Sequence, residues 1–562
     1  MVSVSEQVIE YLNDRKNFIV EAGAGSGKTY TLVEVLSSLI QERSKQLLAS
    51  GQQIVCITYT NVAADEIKSR INNDPLVRVS TIHSFLWSVI EPYQTELRVC
   101  LQAMNSGREE NRRIADLDLT NKEIKYVQYG AKWQEGEIHI HHDDVINLSS
   151  RMFATYKKLS YIVCDRFPVI FVDEYQDTQE KVVKILLDNL GADVTRRSII
   201  GFFGDYMQQI YNSGIGKKIY NYNKSLKQIQ IHENYRCTRE VIEVLNKLRP
   251  KLRQVTAKKK PSAGSARFFY SSLDDYTAIQ QMQEKLASEG WGQDDEKVLM
   301  LTRRSIAKSQ GWNDLMDAYK KKGKYAIDDL IRRDDEFGET FEYMESLAEA
   351  FNSRRSGNLF RLLENSFQGP KKNIVIDTHG KKKDLHSSLR ELISLRENKS
   401  VGDVLDFAWE HQIVSKDNRI TKLEEQAKHE ADLERKNRYS AFLNAVWAVP
   451  YRQVIKLNRY LDKMTPFSTQ HGVKGEEYDN VLVVIDDSTW NQYNFSSVFE
   501  GNDKESQYAR SLNLLYVCCS RAKRNLVVLM LSPMTNKALD GAKRLFGSEY
   551  VTDLDKELIQ YA

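Results

Sequence analysis

The chain has 562 residues, 41% of them hydrophobic and 28% charged, a balance that is typical of folded globular proteins and argues against wholesale disorder. This length exceeds what one hydrophobic core organises, so we expect two to four domains, and a net charge of +3 means that any polyanion is held by local basic grooves. The sequence has neither a membrane-spanning apolar run nor a secretory signal, and its six cysteines are scattered. We therefore expect a cytoplasmic protein with reduced thiols and no membrane partner.

The first chemical pattern lies at residues 17–32, where a short apolar strand leads through a glycine-rich turn into a helix-compatible segment. Gly25 and Gly27 let backbone N–H groups converge on phosphate, and the N-terminus of the following helix adds its dipole. Lys28 can reach the terminal phosphates, and Thr29 can offer a hydroxyl to Mg²⁺. The pattern predicts a phosphate loop that binds ATP with Mg²⁺. The alternative is a plain strand-to-helix turn.

A phosphate loop requires a second strand that ends in acid, and residues 169–178 provide one. Four apolar residues predict the strand, with Asp173 at its carboxyl end. Asp173 would hold the metal's hydration shell, and Glu174 would accept a proton from the attacking water. The alternative is a buried structural ion pair.

Further segments narrow the class of nucleotide-binding protein. In chain order they are ITYTNVAADEIKSR (57–70), STIHSF (80–85), GDYMQQIY (204–211), ENYRCT (233–238), TQHGVKGEEY (469–478) and LLYVCCSRAK (514–523). With the phosphate loop and the acidic strand, they resemble the ordered motifs of the UvrD, Rep and PcrA group of superfamily 1 helicases. The matches extend from residue 7 to residue 523, which is nearly the whole chain.

The resemblance implies a role at the ATP site for each matching position. Two arginines would neutralise charge during phosphoryl transfer, Arg236 from the first lobe and Arg521 from the second. Gln208 would sense the γ-phosphate, while Gln7 and Tyr235 would hold adenine. The other implied nucleotide contacts are Ala24, Gly25, Ser26, Gly27, Lys28, Thr29, Tyr30 and, near the ribose, Glu477.

The resemblance also implies a path for single-stranded DNA, bound through phosphate contacts and base stacking. Two departures concern this path. The family's tryptophan after GDxxQxIY is replaced by Ser213, and the acidic and arginine residues that usually precede Tyr516 are replaced by residues 511–513. ATP hydrolysis is still expected, whereas unwinding is expected to be weaker. The implied nucleic-acid contacts are Thr58, Tyr59, Asn61, His83, Tyr211, Thr469 and His471.

Alternating strands and amphipathic helices, taken with this resemblance, predict an α/β protein of two RecA-like lobes. Each lobe would have a parallel sheet flanked by helices, and two mainly helical accessory domains would be inserted. The predicted bounds are 1–84 and 143–249 for the first lobe, 85–142 for its insertion, 250–310 and 456–562 for the second lobe, and 311–455 for the second insertion.

One acid- and histidine-rich segment, residues 137–144, superficially suggests metal ligands. We interpret it instead as a strand with outward-facing histidines. Asp143 or Asp144 would then cap the following helix.

Two functions fit the sequence. The first is an ATP-dependent helicase or translocase that moves 3′ to 5′ on single-stranded DNA or at single-strand/duplex junctions. The second is a nucleotide- and DNA-sensing ATPase subunit, resembling the UvrD-like component of Gabija-type anti-phage systems, in which an OLD-family nuclease is the partner; another nuclease is also open. The trigger, the oligomeric state and the choice between DNA and RNA are left open.

Overall fold

A computed structural model shows the chain folded around two six-stranded parallel sheets. The structure describes residues 3–107, 117–127, 136–192, 196–210, 213–222, 226–258, 263–292, 296–323, 325–353, 356–364, 379–470, 472, 475–488, 490–504 and 506–559. In that part of the chain, no helix combines the length and the apolar character needed to cross a membrane.

The first lobe contains the first sheet and a small two-stranded sheet inserted between its helices. Its elements are α1 (Val4–Asn13), β1 (Phe18–Ala22), α2 (Lys28–Ser50), β2 (Ile54–Thr58), α3 (Asn61–Arg70), β3 (Val77–Thr81), α4 (Ile82–Ile90), α5 (Gln94–Ser106), β4 (Glu123–Tyr126), β5 (Glu137–Ile140), α6 (His142–Thr155), α7 (Lys157–Arg166), β6 (Val169–Asp173), α8 (Glu180–Lys184), β7 (Ile199–Gly204), β8 (Lys227–Ile231) and β9 (Glu233–Asn234).

The strand order in the first sheet is β3-β2-β6-β7-β1-β8. Helices cover both faces, with α1 to α3 on one and α4 to α8 on the other, which explains why the four central strands are buried and almost entirely apolar. All six strands point the same way, so their carboxyl ends share one edge. Open α/β sheets bind their ligands at this edge.

The second half of the chain forms the second lobe and its insertion. The elements are α9 (Arg239–Leu248), β10 (Val255–Thr256), β11 (Ser265–Tyr270), α10 (Asp275–Ser288), β12 (Glu296–Met300), α11 (Arg303–Gln310), α12 (Asn313–Lys322), α13 (Ala326–Arg332), α14 (Gly338–Asn352), α15 (Ser356–Glu364), α16 (His379–Asn398), α17 (Val401–Glu410), α18 (Asn418–His429), α19 (Leu433–Ala448), α20 (Arg452–Leu461), β13 (Phe467–Thr469), β14 (Tyr478–Ile485), α21 (Phe495–Glu500), α22 (Tyr508–Cys519), β15 (Ala522–Met530), α23 (Asn536–Phe546), β16 (Val551–Asp553) and α24 (Leu554–Ile559).

The second sheet has the order β13-β12-β14-β15-β11-β16. One of its faces shares a continuous core with the helices of the insertion, including Phe341 and Val446. The other face packs against α9, α21, α22 and α23. Helix α9 lies within the bounds predicted for the first lobe, yet its apolar residues are buried in the core of the second.

The predicted fold class is confirmed: two parallel sheets flanked by helices carry mainly helical insertions. The predicted helix cap is wrong, because the N-cap of α6 is His141, and the Asp144 carboxylate accepts a hydrogen bond from the His141 backbone N–H. Nearby, His139 pairs with Glu137, and nowhere among the described residues do three or more His, Cys, Asp or Glu side chains gather as metal ligands would. The six cysteines are buried thiols.

Candidate nucleotide site and nucleic-acid interface

The phosphate loop, residues 23–27, connects the end of β1 to the start of α2. Gly25 and Gly27 have φ angles of +74° and +78°, a left-handed conformation that glycine adopts without steric cost. Gly25 has a second reason to lack a side chain, since a Cβ there would lie 2.7 Å from the Cβ of Arg236. The loop backbone thus approaches residues that follow the first sheet.

The loop is braced from outside by two side chains and one backbone group. The carbonyl oxygen of Ala24 accepts hydrogen bonds from Asn234 Nδ2 at 3.0 Å and from Gln254 Nε2 at 3.1 Å. The carbonyl of Gly25 accepts one from the backbone N–H of Tyr235 at 2.9 Å. Gln254 belongs to the segment that connects the lobes, so the loop's shape is tied to that connection. Sequence reasoning missed both bracing side chains, although Asn234 lies inside the ENYRCT motif.

The acid pair follows β6 beside the loop. Asp173 ends the strand and is 5% exposed, and its Oδ1 accepts a hydrogen bond from the Glu174 N–H at 3.0 Å. Glu174 has φ +52°, a conformation that is uncommon for a residue with a side chain and that clusters at active sites. Its Oε1 lies 3.8 Å from Lys28 Nζ, so the predicted lysine and general base meet. Gln176 Nε2 donates to the other carboxylate oxygen of Glu174.

The donor set fits a triphosphate and its Mg²⁺. The Ser26 hydroxyl is buried and has no hydrogen-bond partner among the described residues, as expected for a group that awaits a ligand. Thr29 is the second residue of α2 and is partly buried, while the Asp173 carboxylate lies at the strand end beside the loop. Hydroxyl and carboxylate oxygens are the ligand types that Mg²⁺ prefers.

Gln208 lies in a one-turn 3₁₀ segment, Tyr206–Gln208, directly after β7. It is 5% exposed, and its Nε2 donates to Asp205 Oδ2 at 3.0 Å. The Asp205 N–H in turn donates to Gln176 Oε1 at 3.0 Å. Gln208 is therefore connected through hydrogen bonds to the side chain that orients Glu174.

The two predicted arginine fingers lie near each other at the boundary between the lobes. Arg236 Nε donates to Glu477 Oε2 at 2.6 Å, and its Nη1 donates to the Ser520 carbonyl at 3.2 Å. Arg521 is 1% exposed and donates from Nε and Nη1 to the carbonyls of Val517 and Glu476, each at 3.0 Å. Burial, and then the nearby guanidinium of Arg236, lower the pKa of Arg521 to about 10. Arg521 is thus held by its own lobe.

Helix α22 of the second lobe contacts the nucleotide-binding parts of the first. The Tyr516 hydroxyl accepts a hydrogen bond from the Ala24 backbone N–H at 3.1 Å. Asn513 Nδ2 donates to the carbonyls of Gln209, at 3.1 Å, and Tyr206, at 3.5 Å. Asn513 is one of the residues that depart from the family pattern, and here it joins the lobes.

The side chains predicted to hold adenine are distributed around the loop. Tyr235 is 60% exposed, and its ring carbon Cδ2 would lie 3.7 Å from a Cβ on Gly27. Tyr30 is 68% exposed, and Gln7 is partly buried on α1. An exposed ring beside a phosphate loop is available for stacking, and the adenine-binding roles stay predictions.

Three predicted nucleic-acid contacts lie at the carboxyl ends of β2 and β3. A cavity of about 630 Å³ is lined there by Tyr59, Asn61 and His83, together with Tyr126 and His142 near the small sheet. The His83 and His142 rings are 4.6 Å apart. Burial and then His142 lower the pKa of His83 to about 4, so His83 is neutral at physiological pH.

The remaining predicted contacts have different surroundings. Thr58 is 1% exposed and its hydroxyl donates to the Thr60 carbonyl at 2.9 Å. Thr469 ends β13 and its hydroxyl oxygen accepts from the Gly472 N–H at 3.1 Å. Tyr211 and His471 lie outside the described residues. The roles of these four residues in nucleic-acid binding stay predictions.

Two RecA-like lobes around a phosphate loop, with an acid pair at one strand end and arginines at the lobe boundary, are the arrangement of an ATP hydrolase, and the chain is similar to helicases of the UvrD-like class. The family described as an AAA domain matches residues 5–214. The chain is similar to Gabija protein GajB of Bacillus cereus (strain HuB5-5), with 26% identity over 97% of each protein.

Two helicases are similar to a smaller part of the chain. The ATP-dependent DNA helicase Rep of Buchnera aphidicola subsp. Baizongia pistaciae (strain Bp) is 27% identical over 41% of this chain and 40% of its own length. The ATP-dependent DNA helicase PcrA of Staphylococcus epidermidis (strain ATCC 35984 / DSM 28319 / BCRC 17069 / CCUG 31568 / BM 3577 / RP62A) is 25% identical over 41% and 37%. The similarity to GajB therefore extends over far more of the chain.

Proposed function

We propose that this protein is an ATP-driven motor that moves 3′ to 5′ along single-stranded DNA, with Mg²⁺ as its cofactor. One juxtaposition carries the proposal. Lys28 and Glu174 belong to the first lobe, and Arg521 reaches the same boundary from the second, where its guanidinium interacts electrostatically with the Glu174 carboxylate. Because ATP hydrolysis then requires groups from both lobes, the movement of one lobe relative to the other is coupled to hydrolysis.

Each lobe has a distinct task in this mechanism. Bound Mg²⁺ would neutralise phosphate charge, held by Thr29 and Asp173. Glu174 takes the proton from water, and the guanidinium of Arg521 leaves its own lobe's carbonyls to stabilise the transferring phosphoryl group. The sheet edge that carries the phosphate loop also carries Tyr59 and the neighbouring cavity. Closing the lobes therefore shifts single-stranded DNA that is bound at this edge relative to the first lobe.

The test has two parts, with Lys28→Ala as the inactive control. Hydrolysis of ATP is measured with and without oligo-dT, and stimulation by the oligonucleotide is expected. Unwinding is then measured on duplexes with a 3′ or a 5′ single-stranded tail, and displacement only from the 3′ tail is expected. Equal hydrolysis with and without DNA, together with no DNA binding, would remove the motor proposal. Unwinding only from the 5′ tail would reverse the polarity.

A second candidate is favoured by the similarity to GajB over 97% of the chain. Here the same ATPase is a nucleotide- and DNA-sensing subunit that licenses a partner nuclease of the OLD family in an anti-phage system. Asn513, in place of the residues that the helicase family usually has, supports a lobe boundary adapted to this task. Co-expression with a nuclease encoded beside it distinguishes the candidates. A stable complex with poor unwinding by the isolated chain supports the subunit, and full unwinding without the nuclease supports the free motor.

A further inference from the structure

A buried cluster of charges lies next to the phosphate loop, and its cation comes from the second lobe. Glu21, in β1, and Asp205, after β7, are carboxylates of the first lobe with 4% and 0% exposure. Arg249 directly follows α9; its Nη2 lies 2.5 Å from Glu21 Oε1, and its Nη1 lies 3.0 Å from Asp205 Oδ1. We call these three residues the Arg249 cluster.

The two sides of the cluster belong to different lobes. Glu21 lies in β1 and Asp205 directly follows β7, both in the first lobe. Helix α9 is packed in the core of the second lobe through Val241, Leu245 and Leu248. A tightly packed helix moves with its core, so Arg249 follows the second lobe while its carboxylate partners stay with the first.

Both carboxylates accept hydrogen bonds from residues in or beside the predicted nucleotide site. Asp205 Oδ2 accepts a hydrogen bond from Gln208 Nε2 at 3.0 Å, and Gln208 is the predicted γ-phosphate sensor. Glu21 Oε2 accepts a hydrogen bond at 2.5 Å from the hydroxyl of Tyr175, the residue immediately after Glu174. A shift of the Arg249 guanidinium therefore acts on Asp205, the hydrogen-bond partner of Gln208.

The second lobe also reaches the cluster from α22. Tyr516 interacts electrostatically with Arg249, and its hydroxyl accepts a hydrogen bond from the Ala24 N–H of the phosphate loop. The Arg249 guanidinium lies 5.2 Å from the centre of the Tyr206 ring, in the turn that carries Gln208. One cation thus lies beside the strand that precedes the phosphate loop, the turn that carries Gln208 and helix α22 of its own lobe.

We infer that Arg249 is a positioning residue that aligns Gln208 through Asp205 when the lobes close. Separating buried opposite charges is costly, so the Glu21 and Asp205 side chains reorient with the guanidinium as the second lobe moves, although their backbones stay with the first sheet. A planar guanidinium fixes two carboxylates at once, which the single ammonium group of lysine does not reproduce. The inference rests on the proposed function, because the roles of Gln208 and of lobe closure belong to it.

The test compares Arg249→Lys with a matched buried pair far from the nucleotide. Arg396, on α16, donates from Nε to Glu345 Oε1 at 2.9 Å in the second insertion and is 5% exposed. Arg396→Lys is the control for the loss of a buried guanidinium. Three quantities are measured for both variants: the melting temperature, kcat and KM for ATP with saturating oligo-dT, and the affinity for oligo-dT with and without a non-hydrolysable ATP analogue.

Arg249→Lys is expected to lower kcat by about 10- to 100-fold, the effect of misplacing a catalytic group by about an ångström, while KM for ATP changes by less than about threefold. The ATP analogue should no longer change its affinity for oligo-dT. Arg396→Lys should lower the melting temperature and leave kcat and the analogue's effect unchanged. If Arg249→Lys and Arg396→Lys have equal kcat values, and the ATP analogue changes their affinity for oligo-dT equally, Arg249 has only a structural role.

A second variant covers a folding failure. If Arg249→Lys does not fold, the same measurements on Asp205→Asn test the inference. This change keeps the shape of the side chain and leaves Arg249 paired with Glu21. Lower kcat with unchanged KM supports the inference, and wild-type kcat overturns it. If the wild type itself ignores oligo-dT, the motor proposal fails, and the inference is judged separately on kcat without DNA.

Discussion

The Tyr516 hydroxyl accepts a hydrogen bond from the Ala24 backbone N–H at 3.1 Å, across 492 positions of sequence. Ala24 lies in the phosphate loop and Tyr516 on α22 of the second lobe. The predicted phosphate loop is therefore in direct contact with the second lobe. This hydrogen bond can form only when the two lobes are in contact, because it joins one residue of each lobe.

Tyr516→Phe tests that contact. The change removes one oxygen and keeps the ring, so we expect kcat for ATP to fall by about 5- to 10-fold, corresponding to about 1 kcal/mol for one hydrogen bond. Steady-state hydrolysis with oligo-dT measures it. The matched control is Tyr343→Phe, which removes a 2.7 Å bond to the Leu362 carbonyl in the second insertion and should leave kcat at the wild-type value. Equal kcat in both variants would mean that the bond has no part in turnover.

Arg521→Ala should almost abolish hydrolysis. An arginine that stabilises charge in phosphoryl transfer contributes about 10³- to 10⁵-fold in rate, so kcat should fall by at least about 1,000-fold. Arg524→Ala is the control, since Arg524 is exposed on β15, three positions after Arg521. Single-turnover hydrolysis measures both variants. Near-normal turnover in Arg521→Ala would contradict the assignment of the finger.

The sequence predicted the strand-to-helix turn and the acidic strand end well because their motifs are local. The phosphate loop lies within residues 17–32, and the strand with Asp173 at its end is found as predicted. The parallel sheets also follow from local alternation of strands and helices. Local patterns leave out pairings between distant positions. The hydrogen bond of Gln254 to Ala24 and the pairing of Arg249 with Glu21 and Asp205 can be predicted only when the lobe boundaries are known.

The cap of α6 shows a different limit of sequence reasoning. Aspartate is a strong N-cap, which favoured Asp143 or Asp144. The structure starts the helix earlier because His141 pairs reciprocally with Asp144 in a capping box. The same aspartate therefore stabilises the helix terminus from the third helical position rather than from the cap.

His83→Ala should weaken binding of oligo-dT by about fivefold, corresponding to about 1 kcal/mol for a lost aromatic or hydrogen-bond contact. Fluorescence anisotropy measures the affinity. Since the pKa of His83 is lowered to about 4, its contribution should be the same at pH 6 and pH 8. His139→Ala, which removes the ring paired with Glu137 on β5, is the control and should bind normally. A contribution from His83 that grows at pH 6 would indicate a charged histidine.

Glu296 provides a test of stability against pH. It begins β12, is 8% exposed, and its Oε1 has no hydrogen-bond partner among the described residues. Burial raises its pKa from 4.5 to about 7. The folded protein therefore keeps a proton that the unfolded chain releases, so this stabilisation is complete below pH 4.5 and is lost as the pH rises through about 7.

Glu296→Gln removes the titrating group and keeps its shape. Relative to the wild type, the variant should gain stability as the pH rises from 5.5 to 8, by on the order of 2 kcal/mol, because a tenfold difference in proton affinity between the folded and unfolded chain corresponds to about 1.4 kcal/mol. Urea unfolding at the two pH values measures the difference between the proteins. Glu284→Gln, on the exposed side of α10, should show the same difference from wild type at both. An equal difference at both pH values for Glu296→Gln would mean that the carboxyl ionises normally, because burial is the only cause that raises its pKa.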